Sequence, residues 1–79
     1  MNFGQALHLL KHGRKVSRSG WNGKGMYIYL LQHSQYAPNV ESARQFESCI
    51  CMFTAQGKHQ PGWLASQPDM LADDWDEVK

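Results

Sequence analysis

Apolar residues Phe3, Ala6, Leu7 and Leu10 recur at helical spacing near the start of the chain, which gathers them on one stripe. Asn2 stands before the stripe and Gln5 three places later, the reciprocal pairing of an N-terminal capping box. Lys11 and His12 supply a basic last turn, and Gly13 a residue that ends helices readily. The pattern predicts a helix over residues 3–12. The period then changes to two. Residues 14–18 (RKVSR) form a short strand candidate, and residues 26–32 (MYIYLLQ) the strongest one. Alternation puts Tyr27, Tyr29 and Leu31 on one face and Met26, Ile28 and Leu30 on the other. Bulky apolar groups on both faces require cover on both sides. The helix supplies one cover, and a second copy of the chain is a candidate for the other.

Residues 33–48 are polar, contain Pro38 and show no period, which reads as a long loop. Residues 49–55 (CICMFTA) read as a strand, Gln56-Gly57 as a turn, and residues 62–65 as another short strand. Ser66 is a natural N-cap, Pro68 fits a first helical turn, and Asp69 suits the positive helix end. A short second helix follows, and residues 75–78 close the sheet. The expected fold is α+β: a small antiparallel sheet with one packed N-terminal helix and a short second helix. Residues 1–79 form one domain in this reading, assembled as a homo-oligomer.

Length and composition narrow the function. A chain of 79 residues buries only about 60–65% of its unfolded surface, so its core is thin and self-association helps it. Hydrophobic content of 42% with 19% charged residues fits a globular protein. A net charge of +1 lacks the electrostatic footprint of a duplex-DNA binder. No apolar run approaches the ~20 residues of a membrane span. The opening MNFGQ has neither a basic nor an apolar signal region, so a cytoplasmic location is expected. Cys49 and Cys51 share one strand face, where a bridge between them is strained, and read as reduced thiols. His8 and His12 lie one helical turn apart with no third ligand evident, so neither a metal nor a cofactor is expected. No nucleophile–base set stands out. Asp69, Asp73, Asp74, Asp76 and Glu77 read as helix-end and edge charges, which argues against an enzyme.

One stretch resists a bland account: GWNGKG at residues 20–25. It is not a P-loop, because Lys24 is followed by Gly25 and no helical pattern follows. It is not a dinucleotide fingerprint either, since it precedes a strand. A hairpin loop with a packed tryptophan is one reading. The other takes Trp21 as a platform for a flat base, a contact worth roughly 1–3 kcal/mol. Trp63 and Trp75 extend the question, with core packing as their alternative role.

The string MNFGQALHLLKHGRKVSRSGWNGKGM, taken with GWLASQPDMLADDW, resembles the second Thoeris anti-defence family of phages and prophages. Its members share N-F-G-x-A-L, G-W-N-G-K-G-M and W-x-x-S-Q-x-D-x-L-A-x-D-W. The resemblance covers residues 1–31 and 49–76; residues 33–48 do not match. It implies a helix-plus-sheet protomer in a homotetramer, with pockets at subunit interfaces. Those pockets sequester glycocyclic ADP-ribose, and in some members separate pockets hold cyclic oligonucleotides. The implied function is a sponge that withholds an immune signal without cleaving it. Trp21 is then expected to stack on adenine, with Trp63 a further candidate, while the backbone at Gly23 lets the ligand approach. Asn22 would bond the polar edge of the ligand, and Lys24 and Arg18 would offset pyrophosphate charge. Ser66, Gln67 and Asp69 either meet phosphate and ribose or merely cap the turn. Rival readings are a hydrolase of the same signals and a structural or nucleic-acid-binding phage protein.

Overall fold

In the computed structural model, which describes residues 1–32 and 47–79, the amphipathic segment forms α1 (Phe3–Lys11). The Gln5 backbone N–H donates to Asn2 Oδ1 at 2.8 Å, and the Asn2 N–H donates to Gln5 Oε1 at 2.9 Å. This reciprocal cap, worth ~1 kcal/mol, fixes where the helix begins. Among the described residues five strands follow: β1 (Lys15–Arg18), β2 (Tyr27–Leu31), β3 (Cys49–Phe53), β4 (His59–Pro61) and β5 (Trp75–Val78). A second short helix, α2 (Gln67–Leu71), stands between β4 and β5. The strands lie in the order β4-β3-β2-β1-β5, each antiparallel to its neighbour. The fold is α+β, as the hydrophobic pattern predicts.

Register assigns the faces. Val16 lies opposite both Ile28 and Glu77, Ile28 opposite Met52, and Arg18 opposite Trp75. Cross-strand partners share a face, so Val16, Ile28, Met52 and Trp75 form one surface, and they join Ala6 and Leu10 of α1 in the core. Trp75 is the largest of these fully buried side chains, and Phe3 packs on it with ring centroids 5.5 Å apart. The opposite face carries Lys15, Tyr27, Tyr29, Cys51 and Phe53. There the Tyr27 and Phe53 rings stack at 5.0 Å, and Lys15 Nζ lies 4.9 Å from the Tyr27 centroid. Cys49 is half-buried and Cys51 buried, both as reduced thiols.

One strand differs from expectation. The short strand after the Gln56-Gly57 turn is β4 at His59–Pro61, rather than residues 62–65. The turn decides this, because the Thr54 N–H donates to Lys58 O at 2.8 Å and the chain begins pairing with β3 at once. Pro61, which has no N–H to give, is tolerated because β4 is an edge strand. The polar excursion expected over residues 33–48 lies outside the described residues except at its last two positions. Among the described residues, no helix is long and apolar enough to cross a membrane.

Candidate ligand site around Trp21

Residues 19–26 join β1 to β2, and Trp21 enters this connection with its N–H donating to Arg18 O at 3.3 Å. Its indole meets Trp75 at 5.4 Å and 81°, and Trp63 at 6.2 Å and 66°. Trp63 and Trp75 meet at 6.3 Å and 84°. All three contacts are edge-to-face, the arrangement ring quadrupoles favour, worth roughly 0.5–1.5 kcal/mol per pair. Trp75 is buried in this triangle, whereas Trp21 and Trp63 are half-buried.

Asp69, in α2, is the polar centre of the site. Its Oδ1 accepts from Arg18 Nη1 at 2.8 Å and from Trp21 Nε1 at 3.3 Å. Its Oδ2 accepts from Ser66 Oγ at 2.8 Å and from the Ser66 N–H at 3.1 Å. The Asp69 backbone carbonyl accepts from Trp75 Nε1 at 2.9 Å. Burial alone would raise the Asp69 pKa, but the bonds from Arg18, Ser66 and Trp21 outweigh it and hold the carboxyl below its ordinary range. Ser66 is the N-cap of α2 and Asp69 completes its capping box, so the capping role expected for these two residues is present.

Arg18 also reaches Asp74, with Nε donating to Asp74 Oδ1 at 2.8 Å. That bond, helped by the Gly20 N–H at 2.9 Å, lowers the Asp74 pKa. One guanidinium between two carboxylates leaves this cluster with a single net negative charge at neutral pH. Two glycines of the loop, Gly20 and Gly23, meet the protein's own packing, whereas a Cβ at Gly25 would meet nothing within 4 Å. A Cβ at Gly20 would lie 2.9 Å from Asp74 Oδ2, and one at Gly23 would overlap Met26 Sδ and come within 2.7 Å of Ala55 Cβ.

The structure therefore brings Arg18, Trp21, Trp63, Ser66 and Asp69 into one cluster, while Gly23 lies against Met26 and Ala55. Asn22, Lys24 and Gln67 are exposed on the segments that carry this cluster. Asp74 belongs to the cluster too, although its sequence context reads only as an edge charge. Its partner Arg18 is 56 residues away, and no local pattern announces such a pair. A concavity of about 530 Å³ lies apart from this cluster, lined by Lys15, Tyr27, Tyr29 and His59 on the face of the sheet away from α1. Among the described residues, no group of three or more His, Cys, Asp or Glu side chains could hold a metal ion.

The chain belongs to the Thoeris anti-defense 2 family, because a family model and a phage relative both match it along nearly its whole length. The family's model, a Thoeris anti-defense 2-like domain, matches residues 1–78. The Thoeris anti-defense 2 protein of Bacillus phage SP01 is 40% identical over 85 residues, spanning 99% of this chain and 94% of that protein. Membership gives the chain a role against Thoeris defence.

Proposed function

We propose that this protein is a sponge that binds a glycocyclic ADP-ribose signal and withholds it intact. The observation that carries this reading is the half-buried Trp21 beside Trp63, its indole N–H tied to Asp69. A flat, pre-oriented aromatic surface suits an adenine, and little ordering is required when the base arrives. Asn22, exposed next to Trp21, supplies donors and acceptors for the edge of the base. The charge of Arg18 is already matched by two carboxylates, so the exposed Lys24 is the principal cation for the pyrophosphate. The Ser66–Gln67 end of α2 borders the ribose in this proposal. Ligand sits at an interface of a homotetramer formed in the cytoplasm of the infected host.

A sponge must outcompete the receptor of the signal, which sets nanomolar affinity, about −12 kcal/mol, as the required scale. Trp21→Ala is expected to weaken capture of glycocyclic ADP-ribose by about tenfold or more, since one stacked base is worth roughly 1–3 kcal/mol. Calorimetric titration measures this, and unchanged affinity would remove Trp21 from the site. Fate of the ligand separates a sponge from a hydrolase. Protein and ligand are incubated, the protein is heat-denatured, and the supernatant is chromatographed. Recovery of the ligand unaltered supports sequestration, whereas a new product supports cleavage.

A further inference from the structure

We infer that Asp69 is a positioning residue: its carboxylate fixes the Trp21 indole for the ligand and does not itself bind the ligand. The inference rests on the Trp21 site proposed above. A carboxylate offers about four lone-pair directions, and four donors already fill them in this structure. A ribose hydroxyl could bind Asp69 only by displacing one of these donors. The bonds also differ in strength. Arg18 at 2.8 Å is charge-assisted and Ser66 Oγ at 2.8 Å is short, whereas the indole bond at 3.3 Å is the longest of the four. Arg18 and Ser66 therefore fix the carboxylate first, and the carboxylate then offers Oδ1 to Trp21.

The same residue orients a second indole through its main chain. Trp75 Nε1 donates to Asp69 O at 2.9 Å, so α2 holds two tryptophans that meet edge-to-face at 5.4 Å. An indole N–H is a donor only. Turning the Trp21 ring over would carry Nε1 away from its acceptor, and Trp75 limits the room for the ring to turn. The loop also receives a separate tie: the Gly20 N–H and Ser19 Oγ both donate to Asp74, which shares Arg18 with Asp69. The groups facing the Asp69 carboxylate are thus Arg18 from β1, Trp21 from the loop and Ser66 from the α2 cap, with Asp74 facing Arg18 from the other side.

The test joins a double-mutant cycle to a ligand-free measurement. Trp21→Phe keeps a ring that can stack but removes the N–H. Affinity for glycocyclic ADP-ribose is measured for wild type, Asp69→Asn, Trp21→Phe and the double variant. Asp69→Asn is expected to weaken binding about tenfold in the wild-type background and less than threefold on top of Trp21→Phe. Equal losses in both backgrounds overturn the inference, because direct ligand contact and general loosening are both additive. The ligand-free arm follows the Trp21 indole ¹⁵N–H resonance of the wild-type protein, assigned by its loss in Trp21→Phe, as pH falls from 6 to 2. It should shift with the Asp69 carboxyl resonance and keep doing so in Asp74→Asn. A Trp21 resonance that stays still while Asp69 titrates overturns the inference even if Asp69→Asn does not fold. If neither Trp21 variant alters capture, the proposed site fails while the indole titration still decides the role of Asp69.

Discussion

Trp21 acquires its setting from neighbours that a residue-by-residue reading treats separately. Its N–H needs an acceptor, its edges need rings, and its loop needs glycine where side chains would collide. The Gly23 position makes this testable without ligand. Gly23→Ala places a methyl group against Met26, which can move, and against Ala55 on the far side, which has no flexible side chain to yield. Overpacking of this kind costs roughly 1–3 kcal/mol, read as a lower urea midpoint with an unchanged slope. Lys24 is the opposite case, exposed and absent from the packed cluster. Lys24→Glu should leave stability near wild type and weaken capture of an anionic signal by about tenfold, the scale of one reversed charge near the surface. The loss should shrink as salt rises, because exposed charges are screened. Equal affinity for both proteins across salt concentrations would place the pyrophosphate elsewhere.

Elements bring together what the sequence keeps apart, and this sets how much could be read in advance. Helix α1 was legible because its capping box and apolar stripe are local. The long alternating β2 and the Ser66 cap were legible for the same reason. Strand β4 was not, since the apolar residues 62–65 look more strand-like than His59–Pro61, and the hairpin turn settles the matter. The Arg18–Asp69 and Arg18–Asp74 bonds join residues 51 and 56 positions apart; β1–β5 pairing sets Arg18 opposite Trp75, beside Asp74, and the bond from Trp75 to the Asp69 carbonyl brings α2 alongside. These bonds make a prediction about acid. Both carboxylates have folded-state pKa values below the ordinary 3.8, so their stabilisation is present above that value and fades as pH falls through the lowered folded pKa values. Melting temperature should therefore drop below about pH 4, and the drop should be shallower in Asp74→Asn, which has one such group fewer. A variant with the same acid profile as wild type would show that this pair adds nothing to the pH dependence.

At the scale of the whole molecule, the thin core bears on assembly. Among the described residues the fully buried side chains are few, centred on Trp75, Leu10, Ile28 and Val16, while Leu64 is 88% exposed and Leu71 78% exposed. Leu64 follows Trp63 directly, and Leu71 ends the helix that carries Asp69, so both flank the tryptophan cluster in the chain. Large apolar groups exposed beside a candidate site are a marker of surfaces that other molecules cover. We propose that these leucines pack at the homotetramer interface that holds the ligand. Leu64→Asp combined with Leu71→Asp should then lower the mass measured by sedimentation equilibrium and weaken ligand capture together. Charged substitutions at exposed positions leave the core untouched, so the circular dichroism of the variant should match that of wild type. Loss of capture with the mass unchanged would make the leucines ligand contacts within one protomer. A smaller mass with capture intact would show a site complete in a single chain, and the interface placement of the ligand would fall while the Trp21 contact stood.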